Sequence, residues 1–251
     1  MKKTYDQVIS QLTTLKLPGI IRTMDQAINE AEREHHSYSA FLNALLSAEL
    51  DYRVDKRYQR NLAGAHFPVM KNIESFEFVK GLKGITKMDL SQLQEFNWLD
   101  NHLNLLFFGP PGVGKTHLAI SLGIKAVEKG YIASFERMTT LTKLLKTAEI
   151  QRMSAYRLNR IIKSDLIIID EIGYSPIERK EANLFFNLIS ELYEKKSIII
   201  TSNKSFNEWA EMMGDAIMTT ALLDRLLHHS KIFNLHCVSY RINNINKKEV
   251  K

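Results

Sequence analysis

The residues from Gly109 to Thr116, read as Gly109-Pro110-Pro111-Gly112-Val113-Gly114-Lys115-Thr116, have the types and spacing that hold a phosphate chain. The pattern is Gly, four free positions, Gly-Lys and then Ser or Thr. Glycines let backbone N–H groups turn inward around an anion without a Cβ in the way. A helix starting at the end of the loop adds unpaired N–H donors and the positive end of its dipole. In this pattern Lys115 reaches the terminal phosphates and Thr116 offers its hydroxyl to Mg²⁺. His117 closes the expected nucleotide-binding set.

Three further stations supply chemistry. Asp170 and Glu171 follow the apolar run Leu166-Ile167-Ile168-Ile169. A carboxylate at the end of a buried strand points into the crevice where ligands bind in open α/β sheets. Asp170 is thus expected to share Mg²⁺ with Thr116. Glu171 is expected to orient and polarise an attacking water, which favours hydrolysis over transfer to a small molecule. Asn203 follows a second run, Ile198-Ile199-Ile200-Thr201-Ser202, and can reach the terminal phosphate or its water. A strand-end turn or helix cap at Asn203 or Ser205 is the alternative. Arg225 lies near the end of a helical stretch, where it can project towards a neighbouring subunit's nucleotide and stabilise transition-state charge. A surface pair with Asp224 is the other reading. His228 and His229 are adjacent and do not share a helical face. With no third ligand evident, no metal site is expected there.

These stations need a scaffold. Runs of four or five apolar residues without alternation predict strands buried on both faces, at 104–108, 131–135, 166–170, 198–202 and 232–236. Helices are expected at 115–129, 139–163 in two pieces, 179–195, and 206–228 in two pieces. The class is α/β, with helices on both sides of a five-stranded parallel sheet. Asn203 reaches the phosphates if the strand order is 5-1-4-3-2, which puts its strand between the loop strand and the Asp-Glu strand. Residues 67–103 read as a connector holding a helix near Leu90 to Trp98, with Phe78 or Ile85 as candidate adenine contacts beside the ordinary reading of linker hydrophobics.

Residues 1–66 read as a small all-helical domain, broken at Leu17-Pro18-Gly19. Its third helix is apolar from Phe41 to Leu50 and then basic, with Arg53, Lys56, Arg57 and Arg60 on one face. Such a stripe can track a phosphate backbone. A solvated face, with Glu49 pairing Arg53, explains the same residues at least as well.

Composition bounds the rest. The chain of 251 residues is 45% hydrophobic and 25% charged, enough for a real core. Its net charge of +6 leans weakly towards a polyanionic partner. One cysteine, Cys237, excludes an intramolecular disulfide and suits a reducing cytosol. Neither a signal peptide nor a membrane span is expected.

Together the four stations resemble the AAA+ ATPase superfamily. More narrowly, Gly-Pro-Pro-Gly-Val-Gly-Lys-Thr-His-Leu-Ala (109–119), Asp-Glu-Ile-Gly-Tyr (170–174), Ile-Thr-Ser-Asn-Lys-Ser-Phe-Asn-Glu-Trp (200–209), Ala-Leu-Leu-Asp-Arg-Leu-Leu-His-His (221–229) and Ser-Tyr-Arg (239–241) resemble the IstB family. Residues 39–50 and Ala65-His-Phe-Pro (65–68) fit as well. The resemblance implies an ATP- and Mg²⁺-dependent ATPase that binds double-stranded DNA, forms a ring or spiral homo-oligomer and assists a partner transposase of the IstA type in a bacterial cytoplasm. It also implies a lidless AAA+ domain at 104–241 followed by a polar tail at 242–251, with Asn203 as first sensor and Arg225 as trans-acting arginine; a standard second sensor is absent, and Arg241 is either its substitute or a structural residue. The neighbouring possibility is a replicative helicase loader of the DnaC type. Two departures from the family pattern, Leu192 in place of arginine and no glycine before Ser239, put domain-edge contacts in question rather than hydrolysis.

Overall fold

The computed structural model describes residues 2–78, 81–173 and 176–237. The chain packs as two units, residues 1–60 and 61–251.

In the first unit, α1 (Lys2–Thr14), α2 (Pro18–Glu34) and the start of α3 (Tyr38–Ala65) carry the predicted helical pattern. Pro18 opens α2, where its missing N–H costs nothing. No side chain of Leu17 caps that start. Instead the buried Glu49 of α3 accepts hydrogen bonds from the backbone N–H groups of Gly19 (2.7 Å) and Ile20 (3.3 Å). Ile20, Met24 and Leu45 form the small core, joined by Tyr5, Val8, Leu12 and Phe41. Leu42, Leu46 and Leu50, four residues apart, are left exposed.

In the second unit, five strands form one sheet in the order β2-β3-β4-β1-β5: β1 (Asn104–Phe108), β2 (Ala133–Arg137), β3 (Leu166–Ile172), β4 (Ser197–Ser202) and β5 (Ser230–Asn234). Every ladder is parallel, and the order is the one that places β4 between β1 and β3. The fold is α/β with a five-stranded parallel sheet, in the expected order 5-1-4-3-2. Helices between strands are α6 (Lys115–Glu128), α7 (Met138–Thr147), α8 (Arg152–Lys163), α9 (Arg179–Leu192), α10 (Phe206–Met213) and α11 (Ala216–His228). The core runs through Ile167, Ile169, Ile198 and Ile200 to Phe185, Leu192, Trp209 and Leu226. Leu192, one of the two departures from the family pattern, is thus a core residue.

Three boundaries differ from the sequence expectation. β2 starts at Ala133 rather than Tyr131, because its ladder begins Ala133 opposite Leu166 and ends Arg137 opposite Asp170. Tyr131 instead donates its hydroxyl to Asp100. β5 spans 230–234 rather than 232–236, paired along the whole of β1. It is an edge strand with only Phe233 buried, so it lacks the apolar run by which central strands announce themselves. The connector helix is α4 (Lys87–Glu95), started by a Thr86/Asp89 capping box and separated from the short α5 (Asn97–Asp100) by Phe96 in left-handed conformation. The 239–241 segment and the 242–251 tail lie outside the described residues.

Candidate nucleotide site

The loop between β1 and α6 is built around glycine at the positions where another residue would not fit. Gly109 has φ 140°, and a Cβ there would lie 2.1 Å from the carbonyl oxygen of Leu235. Gly114, at φ 99°, is the N-cap of α6, and a Cβ there would lie 2.7 Å from the ring of Phe76. No side chain caps the first turn of this fourteen-residue helix, so its N–H groups and dipole face the loop. Lys115 Nζ donates to the carbonyls of Gly109 (2.7 Å) and Pro110 (2.9 Å), which holds the ammonium against the loop.

Asp170 is almost fully buried at the C-terminal end of β3. Thr116 Oγ1 donates to its Oδ1 at 2.8 Å, so residues 54 apart in sequence meet at one point. A hydroxyl and a carboxylate are the hard oxygen donors that suit Mg²⁺, and this pair fits that ion.

The next residue is aimed by a bulge. β3 and β4 run in register from Leu166/Ser197 to Ile169/Ile200 and resume at Ile172/Ser202. Asp170 and Glu171 therefore face Thr201 alone, two residues against one. Glu171 takes φ 64° to accommodate the extra residue. Thr201 fills the bulge: Oγ1 donates to Asp170 Oδ1 at 2.6 Å and accepts from Glu171 N at 3.0 Å. Released from the strand alternation, the Glu171 side chain is half exposed, with Oε2 3.8 Å from Arg137 Nε at the end of β2.

Asn203 follows β4 and is exposed beside this edge. The residues on either side are anchored. Ser202 Oγ donates to Ile172 O at 2.7 Å and accepts from Lys204 N at 3.0 Å, while a Ser205/Glu208 capping box opens α10. The cap expected of Asn203 or Ser205 belongs to Ser205. Hydrogen bonds from Lys204 and Ser205 hold the Glu208 carboxyl down to about 2.

His117 is engaged elsewhere. Its Nε2 lies 3.1 Å from Asn72 O and 3.4 Å from Ser75 Oγ, and its ring meets Phe76 edge-on. Burial pushes its imidazole below the usual range. Its backbone N–H in the first turn of α6 is what remains for a nucleotide. Of the candidate adenine contacts, Ile85 is buried and Phe78 packs edge-to-face on Phe76. Arg225, in the last turn of α11, lies with its guanidinium 4.7 Å from the ring centroid of Phe186 and donates to Ala221 O.

The structure therefore brings together the loop, Thr116, Asp170 and Glu171, with Asn203 on the adjoining strand end and Arg225 on a helix. Sequence reasoning missed Thr201 and Arg137. Thr201 had a signal, a hydroxyl two residues before Asn203 directly after three isoleucines.

In the first unit, Arg53, Lys56, Arg57 and Arg60 line one cleft of about 460 Å³ together with Lys16, Pro18, Glu49 and Tyr52. The four are not equivalent. Arg53 Nε donates to Glu49 at 2.7 Å and Nη2 to Lys16 O at 3.3 Å, as the solvated-face reading has it. Lys56 lies 5.6 Å from the Tyr52 ring centroid, and Arg57 and Arg60 are exposed.

The chain is similar to proteins of one family. The family model for IstB-like ATP binding proteins matches residues 10–248. The ATP-binding protein of insertion sequence IS21 from Pseudomonas aeruginosa is 38% identical over 231 residues, 92% of this chain and 87% of its own. That of insertion sequence IS232 from Bacillus thuringiensis subsp. berliner is 35% identical over 99% of both chains. Among solved structures, DnaI superposes with a TM-score of 0.57 at 14% identity, over 66% of this chain and 91% of its own. AMPPCP-bound DnaA from Aquifex aeolicus gives 0.53 at 20% identity, over 70% of this chain and 54% of its own. At these identities the structural likeness speaks for the fold alone.

Proposed function

This chain belongs to the family of IstB-like ATP binding proteins, an AAA+ ATP-binding family, and on that premise we propose that it is a Mg²⁺-dependent ATPase that assembles on double-stranded DNA and assists the transposase of its insertion sequence. The observation that carries the hydrolytic part is the meeting of Thr116 with Asp170 at 2.8 Å, one residue before the bulge that turns out Glu171. When bound, Mg²⁺ neutralises charge developing on the phosphates, and Thr116 and Asp170 are the residues that hold it. The loop N–H groups and Lys115 bind and orient the phosphate chain. Glu171 orients the attacking water and draws its proton, and Asn203 hydrogen-bonds the terminal phosphate from the adjoining strand end.

Arg137 competes for Glu171. While the 3.8 Å pair persists, the carboxylate is turned to a cation rather than to water. Arg225 acts on a neighbour's nucleotide. Its guanidinium lies over the Phe186 ring, and among the described residues it has no ion pair with a carboxylate. Lys56, Arg57 and Arg60 supply phosphate-backbone contacts, while Arg53 keeps Glu49 in place over the start of α2. No helix among the described residues is long and apolar enough to cross a membrane.

Mixing tests the shared site. Arg225→Ala should bind ATP normally and not hydrolyse it, and Glu171→Gln should behave alike. Mixed in equal amounts, the two variants should regain turnover, because some interfaces then combine an intact Glu171 with an intact Arg225. Normal hydrolysis by Arg225→Ala alone would remove Arg225 from the reaction. The partner is tested by co-purification of the full chain with the transposase encoded beside it or with a replicative helicase. Retention of the helicase instead would make the protein a loader.

A further inference from the structure

Two adjacent histidines on a regular helix point about 100° apart and cannot converge on one ion. Here they do converge. His228 is the last residue of α11, and His229 is its C-cap, already out of the helix at φ −124° and ψ 76°. The two rings lie edge-to-face with centroids 4.3 Å apart. A third donor arrives from the other side of the chain. After α9 the backbone turns through Glu194 at φ 56°, and its carboxylate Oε1 lies 3.7 Å from His228 Nδ1 and 3.5 Å from His229 Nε2. All three donor atoms fall within 4.8 Å of one another.

These distances are close to the edges of a coordination polyhedron. A tetrahedral zinc site with bonds of about 2.0–2.1 Å has donor-to-donor edges of about 3.3 Å. Two of the three edges are already close to that length, and the side chains are about half exposed, free to close the third. Two imidazoles and one carboxylate, with water completing the shell, is a donor set for a borderline transition ion rather than for Mg²⁺ or Ca²⁺. We propose that Glu194, His228 and His229 form a binding site for a divalent transition-metal ion of the zinc class, tying the end of α11 to the turn that follows α9.

Tyr193 is the group that must yield. Its hydroxyl lies 2.8 Å from His228 Nδ1, the same nitrogen that faces Glu194. Whether it accepts the phenol proton or donates its own N–H to the phenol oxygen, Nδ1 in that hydrogen bond has no lone pair left for a metal. The phenol is therefore a competitor, and metal binding displaces it from Nδ1.

The test uses the full chain, stripped with a chelator and titrated with Co²⁺ as a spectroscopic probe and with Zn²⁺ in a thermal-shift assay. One equivalent of Co²⁺ should give the visible absorption of a four-coordinate ion, and Zn²⁺ should raise Tm. His229→Ala and Glu194→Gln should each lose affinity by at least about tenfold, the smallest loss usual even for an outer partner of a metal ligand. In chelator both variants should melt with the wild type, since the side chains they change are exposed. Tyr193→Phe should bind Co²⁺ more tightly than the wild type. Binding that is absent in the wild type, or unchanged in a His228→Ala/His229→Ala double variant, would overturn the site. Weaker binding by Tyr193→Phe would also overturn the assignment, by making the phenol a ligand rather than a competitor.

Discussion

Thr201 donates its hydroxyl to Asp170 at 2.6 Å, and the same oxygen accepts the backbone N–H of Glu171. One side chain on β4 thus fixes both acidic residues on β3. Asp170 Oδ1 receives two hydroxyl protons, from Thr116 and from Thr201. The bulge that frees Glu171 is held closed from across the ladder.

Thr201→Val keeps the shape of the side chain and removes its hydrogen bonds. It should cost about 1–3 kcal/mol of stability, because a buried carboxylate loses a partner and the Glu171 N–H is orphaned. ATP turnover should fall further than ATP affinity, since Glu171 loses its aim. Thr201→Ser should restore both. Chemical denaturation and a kcat-against-KM comparison read the two effects separately.

Gly114→Ala should strain the loop twice, through a left-handed backbone at φ 99° and through contact with Phe76. A loss of about 1–3 kcal/mol is expected for a non-glycine residue held in such a conformation. Adding Phe76→Ala should relieve the contact and leave the backbone strain. Unfolding curves of the single and double variants separate the contributions.

The start of α10 should be acid-sensitive. The Glu208 carboxyl is held down to about 2 by Lys204 and Ser205, against an ordinary value of 4.5. A group depressed on folding contributes stability above its unfolded pKa. That contribution is lost as pH falls from about 4.5 towards about 2. Glu208→Gln should be less stable than the wild type at neutral pH, and the difference should shrink through this acid window in melting curves taken as a function of pH.

On the basic face of α3 the arginines should divide. Arg57→Ala and Arg60→Ala should each lower the salt slope of duplex affinity by about 1, with the fold intact. Arg53→Ala should chiefly lower stability, because Glu49 is then left buried with only backbone partners. Fluorescence anisotropy across a salt series, beside melting curves, distinguishes the two classes. An unchanged slope for Arg57→Ala and Arg60→Ala would return the stripe to ordinary solvated surface.

What the sequence could show followed from how each feature is encoded. The glycine loop and the central strands were legible because local residue types specify them: glycine at positive φ, and unbroken apolar runs where both faces are covered. β5 was misplaced by two residues because an edge strand carries no such run, and only its pairing with β1 defines it. The bulge at Asp170 and Glu171 was invisible because it is a register event between two chains of residues, not a property of either. Arg137 was missed for a related reason: the predicted β2 stopped at Phe135, so the residue facing Glu171 fell beyond its end. Glu194 and His228 are thirty-four positions apart, and only the packing of α9 on α11 makes them neighbours.

The most direct measurement is steady-state phosphate release from Mg²⁺-ATP by the wild type and by Glu171→Gln, with and without duplex DNA, beside ATP affinity for both. The wild type should turn over and be stimulated by DNA. Glu171→Gln should bind ATP with nearly unchanged affinity and hydrolyse it at least about a hundredfold more slowly, the loss expected when a positioned general base is removed. Equal turnover by the two proteins, or none by the wild type under any of these conditions, would contradict the assignment of this site to ATP hydrolysis.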